Sequence, residues 1–177
     1  MSDKTTIILE NIQNRKSVRH FTGEPVTKAC LLALLKAGMA APSARNRQPL
    51  AFVTITERNI LDSLADGLPY TKMLYQAGAA IVVCGDTSVD LQPEAIDLWY
   101  QDAAAATENI LLAVEAIELG AVWSALYPYP ERENHVRKQL KLPSAVIPFS
   151  IVPVGHPSGQ DQPRDKFRAE KIHWEKW

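Results

Sequence analysis

The chain has 177 residues, of which 46% are hydrophobic and 22% charged, and a formal net charge of −1 at pH 7. That length suits one domain, residues 1–177, able to bury most of its apolar surface without disulfides or metals. The near-neutral balance offers no electrostatic footprint for nucleic acid or a membrane surface, so neither is expected as a partner.

Near the start, only Ile7, Ile8 and Leu9 form an apolar run. It is too short for the core of a signal peptide, and a cytoplasmic protein is expected. Residues 5–13 read as a short helix. Arg15-Lys16-Ser17-Val18-Arg19 follows at once and packs three cations and a hydroxyl into five residues. Such a cluster can replace the water around a phosphate monoester. A helix ending near Asn14 would also favour cations in its last turn, so the cluster by itself leaves both readings open.

Residues 27–40 read as a second helix, capped by Thr27, with Leu31, Leu34, Leu35 and Gly38 along one stripe. The loop Ala41-Pro42-Ser43-Ala44-Arg45-Asn46-Arg47-Gln48-Pro49 comes next, with polar groups that a heterocycle could read. Residues 51–56 alternate like a strand, and 79–84 form an apolar run of buried-strand length. Weaker helical patterns lie between them, at 57–66 and 71–77.

Pro93 opens the longest helical pattern, residues 94–119, starting at Glu94 and closed by Gly120. It would span about 39 Å. Its middle is apolar nearly all round, which predicts cover from a second subunit. Residues 121–126 read as a third strand, 131–140 as a helix and 146–154 as a fourth strand, which Pro148 and Pro153 should confine to an edge or a bulge. From Gly155 onward Gly, Pro and charge appear without period, so residues 155–177 are expected to run extended over a surface. Trp174 and Trp177 argue that this arm docks, because their apolar area is costly to leave in water. Mixed helices and few strands point to an α+β fold.

Cys30 and Cys84 each sit among apolar neighbours and read as buried, unpaired thiols. His20, His135, His156 and His173 show no metal-binding spacing, and no metal is expected. No Ser-His-Asp or Cys-His set, dinucleotide fingerprint or P-loop is visible. A borrowed reactive group, such as a flavin, would fit that gap, because the protein then has only to bind, orient and tune it.

The order of these segments, with Leu119-Gly120-Ala121-Val122-Trp123, Val152-Pro153-Val154-Gly155 and Pro163-Arg164-Asp165-Lys166 following the first two, resembles the nitroreductase family of FMN-dependent oxidoreductases. The resemblance runs from about Ile12 to Trp177. It implies a central, mostly antiparallel sheet flanked by helices, with the C-terminal arm exchanged between the subunits of a homodimer and FMN at the interface. NAD(P)H would reduce the flavin, and a small planar acceptor, a nitroaromatic or a quinone, would reoxidise it by a ping-pong mechanism. Rival readings are a relative that reduces an activated alkene and a non-catalytic flavin-binding scaffold.

Carried over by motif, Arg15, Lys16 and Ser17 match the phosphate end, Arg19 a basic residue near the flavin pyrimidine, and Arg164 and Lys166 further phosphate ligands. Pro42, Ser43, Asn46 and Gln48 match the loop that meets the flavin bound mainly by the other subunit. Ser124 and Ala125 match a strand whose backbone approaches flavin N5. No side chain is expected to carry the chemistry. Leu50 departs from the aromatic residue many relatives have there, and Lys16 replaces a more frequent Arg or His. Trp99, Tyr100, Tyr70, Tyr127 and Tyr129 are candidate walls of a pocket, or core.

Overall fold

The computed structural model describes residues 3–89, 98–159 and 161–177. Its strands are β1 (Leu50–Ile55), β2 (Ala79–Asp86), β3 (Gly120–Ala121), β4 (Ser124–Ala125) and β5 (Val146–Gly155). They form one sheet in the order β1-β2-β5-β3, with β4 also on β5, and every pairing is antiparallel. Successive strand side chains point to opposite faces. Ala79, Ile81, Val83, Val152 and Val154 therefore enter one core, and Ala80, Val82, Cys84 and Ile151 the other. Both faces are covered, which is why β2 lacks polar alternation.

Helices α2 (Lys28–Met39) and α4 (Trp99–Ala116) cover the first face with Leu31, Leu34, Ala103 and Ile110. On the second face, α3 (Arg58–Gly67) and α5 (Pro130–Leu140) supply Leu61, Leu64 and Val136. The Thr27 side chain caps α2 by accepting the Cys30 N–H at 3.2 Å, as its position predicts. Helix α1 (Asp3–Asn14) lies against α4 and buries none of its own residues. The fold is the α+β arrangement expected.

Three boundaries differ from the sequence reading, and one alternative it left open is resolved, each for a physical reason. β5 is central, so of the two expected outcomes, an edge or a bulge, the bulge is the one that forms. Its register jumps from Val83↔Ser150 to Cys84↔Pro148, so Phe149 is an extra, bulged residue whose carbonyl accepts from Leu126 and Tyr127 N–H. Pro153 falls between the β3 and β4 pairings, where no ladder partner requires its missing N–H. The predicted strand at 121–126 is correspondingly broken at Val122 and Trp123. Of the helical pattern at 71–77, only a 3-10 turn, Lys72–Tyr75, forms.

The long helical pattern ends at Ala116, and the left-handed residue that stops it is Glu118, with φ of 58°, not Gly120. Its expected start at Pro93 and Glu94 lies outside the described residues. From Asp102 to Glu115 every residue is buried or half-buried within one chain. This helix therefore does not by itself demand a partner. The uncovered apolar groups lie elsewhere, at Ile7, Ile8, Leu9 and Ile12 of α1 and at Trp174 and Trp177, which are 81% and 100% exposed. The tryptophan-bearing end of the arm does not dock on its own chain. Among the described residues no helix is long and apolar enough to cross a membrane.

Both cysteines are free; Cys84 is buried and Cys30 half-buried. Burial pushes the Cys84 thiol up to about 12. Only about one molecule in ten thousand then carries its thiolate at pH 8. Native protein treated with iodoacetamide should be alkylated at Cys30 and spared at Cys84, read by peptide mass spectrometry. Modification at equal rates would show that the β2 core opens easily.

Candidate functional site

The segment after α1 is held by one buried anchor. Val18 is 3% exposed, and its N–H donates to the Ala121 carbonyl at 2.8 Å. A Cβ on Gly120 would come within 2.6 Å of Val18 Cγ1, so this close approach is what the glycine serves. Around that anchor Arg15, Lys16, Ser17 and Arg19 line a cleft of about 500 Å³. Backbone hydrogen bonds from Thr22 to His156 and from Ser158 to His20 bring the C-terminal arm alongside. Arg164 and Lys166 thereby complete the other wall of the same cleft. The five residues expected at the phosphate meet here, together with Arg19, which was expected near the pyrimidine.

Three carboxylates temper these cations. Glu108 pairs with Arg15 at 3.1 Å, and Glu115 with Lys16 at 3.1 Å, both projecting from α4. Asp161 lines the cleft itself; its Oδ2 accepts the Arg19 N–H at 3.4 Å and lies 3.7 Å from His20 Nδ1. None of the three was legible as a site residue, because each meets a residue of the cleft through tertiary packing rather than local spacing.

Arg19 also lines a second cavity, of about 220 Å³, that opens onto Ser124, Ala125, Tyr70, Trp123 and Arg132. The broken strand places β4 here, so Ser124 and Ala125 line the same cavity as Arg19. Tyr70 is the one aromatic of the five candidate walls that reaches this cavity. Trp99, Tyr100 and Tyr127 instead pack together, with Trp99 5.0 Å from Tyr127 and 6.1 Å from Phe149, while Tyr129 lies beneath Arg132. Arg132 was missed. The available signal was a cation in the first turn of a helix, where the dipole disfavours it.

The loop of Pro42, Ser43, Asn46 and Gln48 stands apart from both within one chain. Ser43 and Gln48 line a separate hollow of about 230 Å³ with Met39 and Phe52. Leu50 sits there too, so it does not close the cationic cleft. Arg45, Asn46 and Gln48 all have positive φ, near 52–54°. Local bonds hold this costly conformation: Gln48 N–H to Ser43 Oγ at 2.8 Å and Asn46 N–H to the Ser43 carbonyl at 2.9 Å. Asp102 of α4 adds a third, accepting the Ala44 N–H at 3.1 Å. Burial raises the Asp102 carboxyl above its usual range, opposed by that N–H, and its Oδ2 has no partner among the described residues. Pro42 and Asn46 are exposed, presenting the loop outward.

The nitroreductase family model matches residues 12–72 and 62–156, which contain the anchor, the outward loop and β4. A protein of Archaeoglobus fulgidus, provisionally named an NADH dehydrogenase/NAD(P)H nitroreductase, is 38% identical over 172 residues, covering 96% of this chain and 98% of that one. A similarly named crystal structure from Parabacteroides distasonis shares 46% identity and superposes with a TM-score of 0.91 over 97% of this chain and 99% of that one. Another, from Desulfovibrio desulfuricans in complex with FMN, shares 30% identity with a TM-score of 0.79, covering 96% and 97%. With sequence and architecture agreeing over almost the whole length, this chain belongs to the nitroreductase family.

Proposed function

We propose that the protein is an FMN-dependent oxidoreductase that takes reducing equivalents from NAD(P)H and passes them to a nitroaromatic or quinone-like acceptor in alternating half-reactions. The observation that carries this reading is the gathering of Arg15, Lys16, Ser17, Arg164 and Lys166 in one cleft, with Arg19 lining both that cleft and the cavity of Ser124 and Ala125. Apart from Arg19, four cations line the cleft, and Glu108 and Glu115 pair with two of them, while Asp161 lies against the Arg19 backbone and His20. Two positive charges are left for a phosphate monoester, which carries about −1.5 to −2. That balance fits the single terminal phosphate of FMN.

Bound there, the flavin would supply the hydride chemistry that the protein's own side chains lack. Arg15, Lys16, Ser17, Arg164 and Lys166 hold the phosphate. Arg19 brings positive charge to the pyrimidine edge and so favours the reduced form. Ser124 and Ala125 offer strand backbone near N5. The outward loop of Pro42, Ser43, Asn46 and Gln48 reads the flavin of a partner subunit, using donors and acceptors that suit N3–H and two carbonyls. The exposed apolar groups of α1 and of the arm support this two-subunit site, with arms exchanged between cytoplasmic homodimer partners.

The purified protein is expected to be yellow and to release FMN, not FAD, on denaturation, and to oxidise NADH or NADPH when a quinone is supplied. A colourless protein that takes up no added FMN would overturn the reading.

A further inference from the structure

Two walls of the cavity at β4 have no task in the cofactor-binding scheme above. Tyr70 is 84% exposed and has φ of 61°, a left-handed backbone that a bulky side chain adopts at a cost. No burial of its ring offsets that cost. Arg132 stands in the first turn of α5, against the helix dipole. Although Glu131 and Glu133 flank it in sequence, it makes no ion pair among the described residues.

Arg132 is nevertheless fixed in place. Its guanidinium lies 3.8 Å over the Tyr129 ring, and Nη1 donates to the Ala125 carbonyl at 3.0 Å. Its Nε is buried without a hydrogen-bond partner among the described residues, so the donors left for a ligand are those of the Nη groups. No Asp or Glu lines this cavity, so the charge of Arg132 has no carboxylate beside it there. A held guanidinium with spare donors matches a carboxylate in shape and charge. The exposed Tyr70 ring, which lines the same cavity, offers a stacking surface.

The geometry points to an electron acceptor that is aromatic and carries a carboxylate or similar anion, stacked on Tyr70 and held by Arg132. This substrate class rests on the flavoenzyme reading above, with Arg19 already engaged by the flavin and Arg132 left to the acceptor. Arg132 is then a specificity-determining residue.

The test is a pair of calorimetric titrations of the oxidised, FMN-loaded protein without electron donor, using 4-nitrobenzoate and 4-nitrobenzamide, which differ chiefly in charge. Wild type should bind the acid at least about tenfold tighter than the amide, as a charge-assisted hydrogen bond implies. Arg132→Gln should abolish that preference while leaving the amide within about twofold, and Arg132→Lys should retain part of it. Tyr70→Ala should weaken both ligands alike. Equal binding of the two by wild type, or a preference that survives Arg132→Gln, overturns the assignment. So does an equal loss of both ligands in Arg132→Gln, which would make Arg132 only a brace for Ala125. The FMN content of the same samples separates the two readings. A wild type that takes up no FMN sinks the proposed function and this assignment with it, whereas a loaded protein without the preference sinks this one alone.

Discussion

Replacing Arg15 by Ala is expected to weaken FMN binding by about 10- to 100-fold while leaving the fold nearly as stable. A hydrogen bond between charged partners contributes about 1.5–3 kcal/mol, and each 1.4 kcal/mol is a factor of ten. The variant also leaves Glu108 facing the cleft without its partner at 3.1 Å, so repulsion of the phosphate adds to the lost attraction. Stability should change little, because the Arg15–Glu108 pair is partly exposed and such pairs contribute about 0–1 kcal/mol. Glu108→Gln should act in the opposite direction and tighten FMN, since it removes a negative charge but keeps the side chain's shape. Fluorescence titration of FMN and thermal unfolding of the FMN-free protein measure the two effects separately. Unchanged affinity in Arg15→Ala would show that the cluster is a solvated helix end, the alternative its position after α1 always left open.

The first wall of the cationic cleft was suggested by Arg15, Lys16, Ser17 and Arg19, four of five consecutive residues, although that spacing alone left the reading as a helix end open. What spacing does not contain is the pairing of that segment with residues 156–158, which carries the arm's Arg164 and Lys166 to the same place. Those two were reached through family resemblance rather than through local physics. Asp161, Glu108 and Glu115 stayed hidden for the same reason. They sit on a tail and on a helix whose apolar stripe says which face is buried but not which cations its polar edge will meet.

The fold shows a similar division. Layers of helix on both sides of β2 follow from an apolar run with no polar alternation. The position of β5 does not, because a proline's missing N–H argues for an edge only when both neighbours are continuous. Here the second neighbour is two short strands with a gap facing Pro153, and a bulge at Phe149 absorbs the irregularity next to Pro148. The same gap gives β4 its place in the cavity beside Arg19. Thus the gap that lets β5 lie inside the sheet also positions the candidate site, while the bulge expected as the alternative to an edge forms beside Pro148.

Deleting residues 169–177 is expected to shift the protein from dimer to monomer and to lower FMN retention with it. In the single chain Trp174 and Trp177 are almost fully exposed, and α1 presents Ile7, Ile8 and Ile12 to solvent. A buried Trp covers about 150–250 Å², and apolar area is worth about 25 cal/mol per Å². Ordering the arm offsets much of that gain. A net contribution of only about 1.4 kcal/mol per arm, counted twice in a two-fold symmetric pair, still makes deletion raise the dimer Kd about 100-fold. FMN should partly restore the dimer by mass action, because the outward loop of one subunit is proposed to close over the flavin of the other. Sedimentation velocity of the full and shortened chains, each with and without FMN, measures this coupling. A shortened chain that remained dimeric and kept its flavin would mean that the arm is not the element that joins the subunits. A full-length monomer that bound FMN tightly would remove the shared site altogether, and the roles given to Pro42, Ser43, Asn46 and Gln48 would go with it.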